Sequence, residues 1–174
     1  MPMAKWDACA FPVSPEDLEG RICYGGLDLS STTDITAFVL VFPSLDESDK
    51  FQVLPFFWMP EDNIDLRVRR DHVQYDLWQK QGFLMTTEGN VVHYGYIEKF
   101  IESLGERYNI RDIAFDRGGA VQMTQNLENI LGQFKIGNSN QQESKSFSEN
   151  IKTAAKVEHS YKGNGNGKKL IKKS

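Results

Sequence analysis

Ile22-Cys23-Tyr24-Gly25-Gly26-Leu27-Asp28 and Ile110-Arg111-Asp112-Ile113-Ala114-Phe115-Asp116 are the two stretches whose reading decides the fold. Each is a short apolar run closed by an aspartate and followed by small or polar residues. Runs of this length bounded by turn residues predict strands, over Ile22–Leu29 and Ile110–Asp116. If the second returns beside the first and parallel to it, the crossover rule for parallel strands is met. Both aspartates then emerge side by side at the carboxyl edge of the sheet, where open α/β sheets place their sites.

Working outward, residues 1–20 combine Pro12, Pro15 and Gly20 with polar residues and read as a lead-in or linker. After the turn-rich Ser30–Asp34, the run Ile35–Phe42 predicts a strand rich in β-branched and aromatic residues, with room for burial on both faces. A polar turn at Ser44–Lys50 leads to a third strand, Phe51–Met59, in which Pro55 predicts a sheet edge or a bulge. Three strands on short turns make an antiparallel meander. The period then lengthens. A helix is predicted over Asp65–Gln81, with Leu66, Val73 and Leu77 on its apolar side and Gly82 as its stop. Phe83–Thr87 reads as a short extended piece. Ile97, Phe100, Ile101, Leu104 and Tyr108 fall on one stripe of a helix from Tyr94 to Tyr108, with Asn109 as a left-handed cap. A last helix is predicted over Ala120–Leu131. From residue 135 to 174, Asn, Gln, Ser, Lys and Gly dominate. That composition predicts a disordered basic tail with at most a weak helix near Ser148–Glu158. The fold class is therefore α/β, a mixed sheet covered by helices, with boundaries at 1–20, 21–134 and 135–174.

Composition narrows the function classes. At 174 residues, 40% apolar and 25% charged, the chain suits one soluble domain with a core. Its best apolar run, Ala37–Phe42, is far short of the roughly 18 residues of a membrane span. No secretory signal pattern is visible, so a cytoplasmic, membrane-free location is expected. Cys9 and Cys23 match no zinc spacing and read as reduced thiols. The net charge of −4 is unevenly spread: residues 135–174 hold nine Lys against three acids, a balance of +6, which leaves −10 on the rest. Only the tail has the electrostatic character of a nucleic-acid contact.

Asp28 and Asp116 are the leading chemical candidates. Two close carboxylates repel unless a proton or cation lies between them, and hard cations such as Mg²⁺ or Mn²⁺ take oxygen ligands. Such a pair suits two-metal phosphodiester hydrolysis. Asp is also common as the first residue of a turn, so the pattern alone leaves both readings open. Other candidates read better as structure. Gly163–Lys169 has its glycines four apart where a phosphate loop needs five. His93 reads as a partly buried, hydrogen-bonded histidine and Glu88 as a turn residue. Asp34 is placed across the hairpin turn from Asp28. Arg67, Arg69, Arg70 and Lys80 read as a solvated helix face, with a DNA-facing side as the other option.

The stretches Lys5-Trp6-Asp7-Ala8-Cys9, Pro15–Arg21 and Cys23–Thr32 together resemble the linker and first strand of the nuclease domain of phage terminase large subunits. The resemblance continues through Trp58-Met59-Pro60-Glu61-Asp62, Thr86–Asn90 and Ile113–Arg117, covering roughly residues 5–131. It implies an RNase H-like fold, incomplete at the C-terminal end, and a Mg²⁺- or Mn²⁺-dependent endonuclease, with two ions in an intact site, that cuts concatemeric phage DNA during packaging. It also implies that Asp28 and Asp116 are the catalytic metal ligands. The implied partners are double-stranded DNA and, from the packaging machinery, the terminase small subunit, portal or capsid proteins.

The same comparison predicts differences. The family's ATPase half has no counterpart, and the chain begins about where an inter-domain linker would lie. Gly118 stands where the family commonly has Trp. The family's later acidic ligand finds no match among Glu143, Glu149 and Glu158. These features suggest a truncated or frame-shifted gene, such as a prophage remnant. The alternative function is therefore an inactive remnant or a module that binds DNA or a capsid partner.

Overall fold

The computed structural model describes residues 2–8, 10, 12–30, 34–45, 50–115, 123, 126 and 135–138. Within them six strands form one sheet: β1 Ile22–Asp28, β2 Thr36–Phe42, β3 Gln52–Pro60, β4 Met85–Thr87, β5 Asn109–Phe115 and β6 Lys135–Asn138. Their order across the sheet is β4-β3-β2-β1-β5-β6. β2 is antiparallel to both β1 and β3, while β5 is parallel to β1, β6 to β5 and β4 to β3. The meander and the parallel return of the second aspartate-ended run match the sequence reading. Pro55 also fits: β4 pairs only with Trp58–Pro60, so the outer flank of β3 at Pro55 meets no strand among the described residues. A residue without an N–H is tolerated on such a flank.

Alternation along the strands divides the core. Phe38, Leu40, Phe42 and Trp58 share a cluster with Ile97, Ile101 and Leu104 of the helix α4, Tyr94–Arg107. Phe100 of that helix meets Phe56 and Trp58 edge-on at 5.1 and 5.3 Å. Met59, the neighbour of Trp58, belongs instead to a second cluster with Ile64, Tyr75 and Leu84. Successive strand residues point to opposite faces, so the two clusters cover the two sides of β3. In β2, Thr36, Phe38, Leu40 and Phe42 are buried and the alternating residues half-buried.

Four expectations need correction. The helix expected over Asp65–Gln81 is two helices, α2 Ile64–Asp71 and α3 Tyr75–Lys80, after the short α1 at Met3–Asp7. His72 ends α2 in the left-handed region at φ 54° and breaks the phase of the stripe. Ile64, Arg67 and Tyr75 are buried, whereas Leu66 is 62% and Leu77 40% exposed. Asn109 is not a left-handed cap. Tyr108 is already extended after α4, and the Asn109 N–H donates to the Arg21 carbonyl as β5 begins. The lead-in is partly docked: Leu18 is fully buried, and the Gly20 N–H donates to the Arg107 carbonyl at 2.8 Å. Finally, Lys135–Asn138, assigned by composition to the tail, pairs with Asp112–Phe115 as β6. An open strand edge offers backbone partners that composition does not register. The remainder of the tail and most of the predicted helix Ala120–Leu131 lie outside the described residues; Met123 and Asn126 within it are helical.

Gly25 is where β1 has least space. A Cβ there would stand 2.9 Å from Phe38 Cε2 and 3.0 Å from Ile113 Cγ1, both in buried side chains of the flanking strands. Gly25→Ala is expected to destabilise the domain by about 1–3 kcal/mol through overpacking, read as a lowered urea midpoint with an unchanged slope. An unaltered midpoint would show that the neighbouring side chains yield without cost.

Candidate active site

The exit of β1 is built from small residues beside large ones. Cys23 and Leu27 point into the core, while Gly26 and Asp28 occupy the opposite face by alternation. Burial pushes the Cys23 thiol up to about 12, against the opposing influence of Arg21, so this cysteine is a packed free thiol and not a nucleophile. Gly26 pairs with Val39 on one side and Ala114 on the other, and Asp28 pairs with Ala37. These short side chains leave a shallow depression of about 340 Å³, lined by Gly26, Leu27, Asp28, Ala37, Val39, Ala114 and Phe115. Asp28 stands exposed at its lip, and its carboxylate makes no hydrogen bond or ion pair among the described residues.

Leu27 is the register partner of Phe115 in the parallel pair β1–β5. Asp28 and Asp116 are the next residues of their respective chains. Asp116 itself lies outside the described residues, as do Gly118, Cys9, Gly163–Lys169 and the tail acids Glu143, Glu149 and Glu158. Among the described residues no group of three or more His, Cys, Asp and Glu side chains converges to hold a metal ion.

The turn after β1 carries a network that sequence reasoning did not single out. Thr36, fully buried at the start of β2, accepts a hydrogen bond from the Ser30 N–H at 3.0 Å through its hydroxyl oxygen and donates to the Ser30 carbonyl at 3.1 Å. The Asp34 N–H donates to Ser30 Oγ at 3.0 Å, and Asp34 Oδ1 accepts from the Ile35 N–H at 2.9 Å. A threonine opening an otherwise apolar strand was the one available signal.

The remaining candidates are structural. Glu88 is exposed after β4, next to Gly89 at φ 80°. It lies at the same sheet edge as Asp28 but three strand spacings away, about 14 Å of backbone separation. His93 is exposed, not buried, and its carbonyl accepts from the Tyr96 N–H at the start of α4. Asp34 sits across the hairpin turn, as expected. The basic helix face is paired in part within its own helices. Arg67 is buried against Asp71 and Tyr75, Arg70 also bonds Asp71, Arg69 donates to the Asp65 carbonyl, and Lys80 pairs with Asp76 at 3.5 Å. The Arg70 and Arg67 guanidiniums hold the Asp71 carboxyl below the usual range. Arg69, Arg70 and Lys80 stay exposed, as a solvated helix face requires, while Arg67 turns inward.

Comparison with known proteins agrees with this architecture. The sequence family described as "Terminase large subunit, endonuclease domain" matches residues 1–172. The large terminase subunit of Enterobacteria phage HK97 is 34% identical over 113 residues, 64% of this chain and 21% of that protein. The crystal structure of the HK97 bacteriophage large terminase superimposes with a TM-score of 0.67 at 25% identity, covering 91% of this chain and 32% of the other. The chain thus spans between a fifth and a third of the length of these relatives. Its mixed sheet flanked by helices is the RNase H-like fold of that nuclease, and the chain belongs to the terminase large subunit endonuclease domain family.

Proposed function

We propose that this chain is a divalent-metal-dependent endodeoxyribonuclease acting on double-stranded phage DNA during packaging, with Asp28 and Asp116 as its metal ligands. The single observation that carries this reading is the β1–β5 register. Leu27 pairs with Phe115, and each is followed directly by an aspartate. Residues at matching positions of adjacent strands have backbones one strand spacing apart, about 4.8 Å. Two unit negative charges that close repel by about 3 kcal/mol at an effective dielectric constant of 20. A cation relieves that repulsion. Asp28 fits the role of a hard-cation ligand on its own terms: it is exposed, unpartnered among the described residues, and set over a recess.

When bound, divalent cations supply Lewis-acid polarisation of a phosphodiester and a water of lowered pKa. The protein's own part is geometric and electrostatic. The β1–β5 pairing sets Leu27 opposite Phe115, and Gly26, Ala37 and Ala114 keep the surface beside Asp28 low. The chain outside the tail carries −10 and repels a polyanion, so the Lys-rich tail and the cations held by the aspartates offset that charge. In packaging, the chemistry requires recruitment to DNA by other phage components, among which the small subunit, portal and capsid proteins are the expected partners.

Supercoiled plasmid incubated with Mn²⁺ tests the reading. Wild-type protein is expected to nick and linearise it. Asp28→Ala and Asp116→Ala, each confirmed to be folded, are expected to lower the rate on the order of 100-fold, the upper end of what losing even an outer partner of a metal ligand costs. Folded wild-type protein that leaves the plasmid intact, or cleavage indifferent to both substitutions, would contradict it.

A further inference from the structure

Asp28 is the last residue of its strand, so its carboxylate is only as well placed as the turn that follows it. Pairing with Ala37 holds the Asp28 backbone on the β2 side. Two residues on, the single hydroxyl oxygen of Thr36 engages both the N–H and the carbonyl of Ser30, at 3.0 and 3.1 Å. Ser30 Oγ in turn accepts the Asp34 N–H, which ties the far end of the turn to its beginning. Both backbone groups of Ser30, two residues beyond Asp28, are therefore fastened to the strand that carries Asp28's own register partner.

Packing alone does not call for a hydroxyl at position 36. Thr36 is fully buried, pairs with the fully buried Trp58, and adjoins the apolar strand Ala37–Phe42. Valine has the same shape, favours strands equally, and carries no polar atom to desolvate. The hydroxyl is instead directed wholly at the backbone beside Asp28. Oxygen ligation of small divalent cations tolerates little displacement, and supporting partners outside the ligand set commonly control it.

We infer that Thr36 is a positioning residue for Asp28, setting the angle at which the chain leaves β1 and hence the place of the carboxylate. This inference rests on the proposed metal-binding role of Asp28. It is tested by Mn²⁺ titration of the full chain, read by calorimetry or by the electron paramagnetic resonance of free Mn²⁺, on wild type, Thr36→Val, Thr36→Ser and Asp28→Ala. Thermal unfolding is recorded for each. Thr36→Val is expected to raise the Mn²⁺ dissociation constant about 10-fold. Thr36→Ser regains both bonds to Ser30 and is expected to stay within about twofold of wild type, although losing a buried methyl lowers its melting temperature. A merely structural residue would give the opposite order, with affinity following stability.

Wild-type affinity in Thr36→Val, or Thr36→Ser as weak as Thr36→Val, overturns the inference. Should Thr36→Val not fold, Thr36→Ala carries the test: it removes the same hydroxyl and is expected to weaken Mn²⁺ about 10-fold while Thr36→Ser does not, and an unchanged constant overturns the inference. Asp28→Ala separates the two levels. If it binds Mn²⁺ as wild type does, the metal-site reading fails and the role of Thr36 falls with it. If it loses Mn²⁺ while the variants lacking the Thr36 hydroxyl do not, only the role of Thr36 falls.

Discussion

β1 is hydrogen-bonded on both flanks, antiparallel to β2 and parallel to β5, and the rest of the domain is arranged around that double pairing. An antiparallel neighbour needs only a hairpin, but a parallel one needs a crossover. Here α4 completes that crossover. It lays Ile97, Ile101 and Leu104 on one face of the sheet and delivers the chain to β5 through the extended Tyr108. The junction is pinned by backbone bonds from Gly20 to Arg107 and from Asn109 to Arg21, so the entries to β1 and β5 are fixed together. Gly25 lets the flanking strands bring Phe38 and Ile113 to within about 3 Å of where its side chain would stand. The β1–β5 register shifts once, between Cys23 and Gly25, before Leu27 meets Phe115 at the far end of the pair.

Where alternation or helical period is backed by burial, the sequence was legible. Ile22–Asp28, the meander, Tyr94–Arg107 and the parallel return to Phe115 all follow from patterns that desolvation enforces. The misreadings share a cause. Over Asp65–Gln81, Leu66 and Leu77 were read as inward because they are apolar, yet the buried positions include Arg67, whose guanidinium finds Asp71 and Tyr75. Apolarity does not compel burial, and a cation with well-placed partners can go inside. Asn109 was read as a cap from its local preference, but pairing with β1 overrides it. Lys135–Asn138 has no strand signature of its own; its strand character comes from the neighbouring edge of β5.

The candidate site was half legible. Asp28 and Asp116 stand out because each terminates an apolar run, and the register Leu27–Phe115 links the residues just before them. Thr36 was not legible, since its role depends on a contact across a turn whose shape the sequence does not disclose. The ionisable groups also divide by environment. Arg67, Arg70 and Lys80 of α2 and α3 pair with acids of their own helices, whereas Asp28 is left with no partner among the described residues at an edge where a ligand can reach it.

We propose that Asp28 and Asp116 share bound cations at the carboxyl edge of the sheet. Anomalous diffraction from crystals of the chain grown with Mn²⁺ tests this most directly. The expected result is a peak within about 2.5 Å of carboxylate oxygens from both residues. Mn²⁺ bound at other carboxylates, with none at that edge, would contradict it.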